Sequence, residues 1–181
     1  MELEEARALV REHTQKETTV RHLISVEGVM RALARRLDGD QELWALTGLF
    51  HDLDQDVTGE DLSRHARLAA EWLREAGVDE RVVNGVLAHA HEQYRTDLMS
   101  KAVVHADAVA GLLVAAALVR PEKSAGMKVS SVKKKLKERA FAPGVNRDEI
   151  TQAPEVLGLD LDEFFAVAIE GLQQVAPDID L

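Results

Sequence analysis

The chain contains no cysteine. That excludes a disulfide framework, a thiolate zinc site and a cysteine nucleophile, so any metal has to be held by histidine and carboxylate. Also missing is an alternating Val/Ile/Thr run of strand length, which leaves no candidate for a β-sheet. No internal repeat or low-complexity tract is visible. The N-terminal Met-Glu-Leu-Glu-Glu-Ala-Arg is acidic and amphipathic, without the basic and apolar regions of a secretory signal, and a cytoplasmic location is expected. Positive charge is scarce as well. A formal net charge of -10 argues against DNA or an acidic membrane as partner, because like charges repel before contact.

What is present is helical spacing: apolar residues recur at three and four, with Gly and Pro between the periodic runs. The 181 residues suffice for one all-α bundle with a substantial core. The pattern predicts helices over 2–13, 18–37 and 41–50, the last capped by Asp40. Next comes a helix reaching Ala76, with Thr58 and Asp61 as a capping arrangement, and then one over 80–91 capped by Asp79. The apolar stretch from Ala102 to Val119 is long enough to raise the question of a membrane span. It carries His105 and Asp107 and is rich in Ala, so a buried central helix over 97–119 is the better reading. A basic helix over 129–140 and two helices capped by Asn146 and Asp160 complete the chain.

The chemistry gathers where the third helix ends, at Gly-Leu-Phe-His-Asp-Leu-Asp-Gln-Asp, residues 48–56. Adjacent His51 and Asp52 at a helix end can aim an imidazole and a carboxylate at one ion. Other helices point titratable groups inward too. His22 shares a face with Val26, Val29 and Leu33; His65 with Leu62, Ala69 and Trp72; His89 with Val82 and Val86; Asp107 with Val103, Ala110, Val114 and Leu118. A single core His is usually satisfied by a backbone carbonyl. A buried unpartnered Asp costs several kcal/mol, roughly 3–5. One or two metal ions ligated from several helices satisfy all of these groups together.

This order of residues resembles the HD superfamily of metal-dependent phosphohydrolases: a His on an early helix, a His-Asp pair closing a later one, and an Asp on a long central helix. Here those are His22, His51 with Asp52, and Asp107. His65 and His89 match positions that two-metal branches add. The likeness is closer to a bacterial branch of small HDIG-type proteins, through MRALARRL, GLFHDLDQD, AALVRPEK and KVSSVKKKLKERAFAPGVNRDEI. Most of the chain is covered, as one HD-type domain over 1–181 with a basic helical extension at 120–176. Two positions depart from the family. Ala90-His91-Glu92 follows His89 where relatives often have Asn, which shifts a supporting contact to His91 or Glu92. His105 stands where a small residue is more usual, and it is read as a core or supporting His.

The resemblance implies divalent iron, manganese, cobalt, nickel or zinc, as one ion or two, with two favoured. In the two-metal arrangement Asp52 bridges; His22, His51 and Asp107 complete one site and His65 and His89 the other. A metal-activated hydroxide then cleaves a phosphate ester or anhydride of a nucleotide or similar small phosphorylated substrate. Asp54 is a candidate proton donor to the leaving group. Between Arg120 and Arg139 lie eight Lys or Arg and two Glu. Either this run is a solvated helix face, or Lys133, Lys137 and Arg139 neutralise substrate phosphates. A regulatory module with a structural metal and a di-iron oxygenase are the alternative functions, and a homodimer is compatible with the sequence.

Overall fold

The computed structural model describes residues 1–59 and 61–181 and, among these, shows helices and no strand. The helices are α1 (Leu3–His13), α2 (Glu17–Arg36), α3 (Gln41–Phe50), the short α4 (Gln55–Thr58), α5 (Arg67–Glu75), α6 (Glu80–Ala90), α7 (Leu98–Leu118), α8 (Val129–Lys137), α9 (Arg147–Leu157) and α10 (Leu161–Val175). The all-α expectation is met. Asp40, Asp79, Asn146 and Asp160 each accept bonds from first-turn amides. Such a cap stabilises a helix by about 1 kcal/mol.

Helix α7 organises the bundle. It is apolar on nearly every face, and α2, α3, α6, α8, α9 and α10 all pack on it. Its most apolar stretch is 67% buried among these helices, as a core helix is. Leu112, Leu113, Val103 and Val109 are fully buried. Each large aliphatic side chain withdrawn this way contributes about 1.5–3 kcal/mol. The basic α8 buries only Val132, and α10 returns the chain onto α2.

Three expectations need correction. Thr58 ends α4 instead of opening the next helix, and α5 begins only at Arg67, because residues 61–66 form turns and Ala66 takes a left-handed conformation with φ 63. His65 therefore precedes its helix, and Leu62 is 71% exposed instead of sharing a buried face with it. The basic helix stops at Lys137, where the carbonyls of Leu136 and Glu138 are taken up by the Arg147 guanidinium.

Two contacts lock α2 in place. Gly28 and Gly171 meet where α2 crosses α10, so closely that a Cβ on Gly28 would lie 2.4 Å from the Gly171 carbonyl oxygen. At the N-terminus of α2, Lys16 supplies no side-chain cap. Asp56 of α4 does so instead, accepting from the Gln15 and Lys16 amides at 3.0 and 2.9 Å and from the Thr19 hydroxyl at 2.9 Å.

Gly28→Ala should therefore force the two helices apart and destabilise the fold by about 1–3 kcal/mol, read by chemical denaturation. Asp56→Ala should cost about 1–2 kcal/mol, as loss of a helix cap does, with the helical circular dichroism of the folded protein retained.

Candidate metal centre

Six side chains from five segments converge beside α7. His22 comes from α2, His51 and Asp52 from the end of α3, His65 from the turn before α5, His89 from the last turn of α6, and Asp107 from the middle of α7. The local reason differs in each case. His22, His89 and Asp107 stand on helix faces whose neighbours Val26, Val29, Leu33, Val82, Val86, Val103 and Ala110 are all fully buried. The face of Asp107 runs out into solvent further along, since Leu118 is 55% exposed. His51 is delivered by the burial of Leu49 and Phe50 ahead of it. His65 is turned inward by the left-handed Ala66, a conformation that costs a non-glycine residue about 1–3 kcal/mol.

The donor atoms face one another. His22 Nε2 lies 2.9 Å from Asp107 Oδ1 and 3.2 Å from His51 Nε2. Asp52 Oδ1 is approached by His65 Nε2 at 3.2 Å and His89 Nε2 at 3.4 Å, and Asp52 Oδ2 by His51 Nε2 at 3.6 Å. None of the approaches to Asp52 Oδ1 has hydrogen-bond geometry, and that buried oxygen is left without a partner. A divalent cation would satisfy it. His22, His51 and Asp107 form one group with mutually close donors, and His51, Asp52 and His89 form a second. Nitrogen and oxygen donors of this kind suit iron, manganese, cobalt, nickel or zinc.

Supporting contacts fix the ring orientations. The Nδ1–H of His51 donates to the Gly48 carbonyl at 2.7 Å, which leaves Nε2 as the free donor atom. His65 Nδ1 donates likewise to Asp54 Oδ1 at 2.9 Å, while Asp54 Oδ2 accepts from the Ala69 amide at 3.0 Å. Asp54 is thus 0% exposed with both oxygens engaged, and it holds His65 instead of lying open to a leaving group. His91 bonds the His65 carbonyl at 3.1 Å, so the contact displaced from the position after His89 falls to His91, while Glu92 is exposed. His105 stays outside the cluster. Its Nδ1 donates to the Glu149 carbonyl at 2.7 Å and ties α7 to α9.

Electrostatics follow from this packing. Burial opposes charge on His51, yet the carboxylates of Asp52 and Asp107 outweigh it and raise the ring to about 9. Burial likewise opposes charge on His65, and the adjacent carboxylates of Asp52 and Asp54 outweigh it and lift the ring to about 10. His89, desolvated and beside charged His51, is pushed down to about 4. Burial would raise Asp52 and Asp107, but the surrounding rings hold both well below the usual carboxylate range.

Two cavities flank the cluster and share His89 and Asp107. One, of about 410 Å³, lies between α7 and the start of α9 and includes His22, Arg95 and Glu149. The other, of about 550 Å³, opens between the end of α6 and the turns before α5, over Asp52 and His65. Neither contains Lys133, Lys137 or Arg139. Lys133 pairs with Asp162 and, with Lys137, lines a separate groove, while Arg139 is exposed. Helix α8 buries Val132 and turns its lysines toward solvent and α10. The cation that does stand in the first cavity is Arg95, which composition could not single out because it is isolated in the sequence.

The family model described as HD domain matches residues 19–118, more than half of the chain and all six converging side chains. The chain belongs to the HD domain family. Curated relatives include Ribonuclease Y 2 of Levilactobacillus brevis, 31% identical over 90 residues, and Ribonuclease Y of Sulfurovum sp. and of Fusobacterium nucleatum, 29% identical over 86 and 30% over 88. Those alignments take in 50%, 48% and 49% of this chain, and the chain spans only 17% of each relative's length. No solved structure matches. HD domains bind divalent metals, and the His and Asp groups described above are where this one can do so.

Two measurements probe the centre. Asp54→Asn, which leaves His65 a weaker acceptor, should lower metal affinity by about 10–100-fold without unfolding the chain. Because His51 and His65 keep protons up to about 9 and about 10, a cation bound at neutral pH must expel them. Affinity for Mn²⁺ should therefore rise as pH increases toward those values. Titration calorimetry in buffers of different ionisation enthalpy should show proton release, and its absence would mean that both rings are already neutral.

Proposed function

We propose that this HD domain is a phosphohydrolase that cleaves a phosphate ester or anhydride of a nucleotide or similar small phosphorylated substrate. The observation that carries the reading is the gathering of His22, His51, Asp52, His65, His89 and Asp107 into one cluster between two cavities, with His65 and His89 on the unpartnered oxygen of Asp52. The proposed ligand sets are His22, His51 and Asp107 on one side and His65 and His89 on the other, with Asp52 shared between two ions. A divalent ion bound there supplies the charge that acidifies a water and offsets the negative charge of a phosphate.

The protein's own residues do the rest. Gly48 and Asp54 fix the tautomers of His51 and His65, so each presents Nε2 toward Asp52. The full burial of His51 and the partial burial of Asp52 and Asp107 lower the local dielectric and strengthen the charge interactions made there. Asp54 acts by orientation in this scheme, replacing its expected part as a proton donor. The ribonuclease names of the relatives favour a second reading for the aligned half of the chain, hydrolysis of a phosphodiester in RNA. Both readings use the same centre and differ in how far the substrate extends beyond the reacting phosphate.

The test is elemental analysis of protein purified without chelator, followed by assays with Mn²⁺ on nucleotides and on short RNA. Close to two ions per chain is expected, falling to one in His65→Ala, with Asp52→Ala losing both metal and turnover. Full turnover by Asp52→Ala would end the proposal. A protein that holds metal and hydrolyses nothing would point to a regulatory module, and oxygen consumption by an iron-loaded, coloured protein to an oxygenase. Neutralising Lys133 and Lys137 together should leave the Michaelis constant within about twofold, since exposed charges so placed contribute little.

A further inference from the structure

The cavity between α7 and α9 carries more information than its contact with the metal cluster. It is lined by His22, His89 and Asp107 of the cluster, by Gly111, Asn146 and Glu149, and by Arg95. At about 410 Å³ it falls within the range of small-molecule pockets, roughly 300–1,000 Å³.

Arg95 is held ready. Its Nε donates to the Ala88 carbonyl at 3.1 Å and an Nη to the His89 carbonyl at 3.4 Å, so it caps the C-terminal turn of α6 beside a candidate metal ligand. Its remaining guanidinium nitrogen has no protein partner among the described residues. A guanidinium so fixed loses little freedom when it binds a phosphate oxygen. Glu149 is placed differently. Its backbone carbonyl is anchored by His105, whose Nδ1 also lies 3.6 Å from Glu149 Oε2; the side chain is 23% exposed and accepts no hydrogen bond from the described residues. Asn146 spends its side-chain oxygen on the Asp148 and Glu149 amides, which fixes the wall from which Glu149 projects.

A carboxylate is acceptor-only, so it needs hydroxyl or amino hydrogens from a ligand and repels a second phosphate. We propose that this cavity receives the organic part of the substrate, a neutral, hydroxyl-bearing group such as the sugar of a nucleoside monophosphate, with Arg95 on a phosphate oxygen and Glu149 accepting from that group. The assignment rests on the phosphohydrolase reading and narrows it. The phosphate carries an uncharged polar body into the α7–α9 cavity, and a polyphosphate tail is turned away by Glu149.

The experiment compares wild type, Glu149→Gln, Arg95→Ala, Arg95→Lys and Gly111→Leu, with metal content measured for each. AMP, pyrophosphate and p-nitrophenyl phosphate are the substrates, and AMP binding is titrated separately. Glu149→Gln should raise KM for AMP roughly tenfold, as for loss of a charge-assisted hydrogen bond, and that for p-nitrophenyl phosphate far less. Arg95→Ala should raise KM for both, with partial rescue by Arg95→Lys. Gly111→Leu, which fills the cavity, should abolish AMP binding while metal content holds. Preference for pyrophosphate over AMP, an unchanged AMP constant in Glu149→Gln, or undiminished AMP binding in Gly111→Leu would each overturn the assignment. Should wild type hydrolyse neither these substrates nor short RNA, the phosphohydrolase reading fails by itself. AMP binding lost in Gly111→Leu would then still support the pocket, and no AMP binding by wild type would remove it.

Discussion

Asp52 sets the terms for the rest of the molecule. It is a desolvated carboxylate with one oxygen that no protein donor satisfies, ringed by imidazoles drawn from segments far apart in the chain. Left uncompensated, such a group costs several kcal/mol, roughly 3–5. The histidines answer this in part by holding protons, which is why His51 and His65 titrate so high. A metal answers the same demand while releasing those protons. The core around α7 therefore both creates the electrostatic problem, by excluding water, and supplies the geometry that resolves it.

The surrounding structure serves that geometry in layers. The rings of His51 and His65 are aimed by the Gly48 carbonyl and by Asp54, and the second of these contacts is in turn held by the Ala69 amide of α5 and by His91. Asp56 then ties the segment after the His-Asp pair to the helix that bears His22. Three acidic residues spaced two apart thus have separate tasks: Asp52 faces the centre, Asp54 the adjacent histidine, and Asp56 a helix terminus.

Much of this was legible in the chain itself, because helical periodicity says which way a side chain points once its helix is identified. His22 with Val26 and Val29, and His89 with Val82 and Val86, revealed their inward direction in that way. The Asp and Asn caps were equally readable, since their chemistry is local. His65 was assigned to the cluster but to the wrong element, because a turn has no periodicity and a left-handed alanine leaves no trace in composition. From the sequence Asp54 reads as a proton donor, because nothing in a loop sequence shows that both its oxygens are taken, by His65 and the Ala69 amide. The lysine run drew attention by density, whereas Arg95 and Glu149 matter by position: a contact across 44 residues, from His105 to Glu149, is invisible until α9 is seen folding back on α7.

The Gly28–Gly171 crossing bears on the centre although neither glycine is near it. With no side chains between them, the backbones of α2 and α10 come into direct contact at this one point. Sliding or rolling away from that point would bring a bulkier neighbour, such as Val29 or Val175, into the facing helix. Rolling is the motion that would carry the His22 ring off Asp107. Two residues chosen for having nothing to contribute chemically thereby set the angular tolerance of a donor atom elsewhere on the helix.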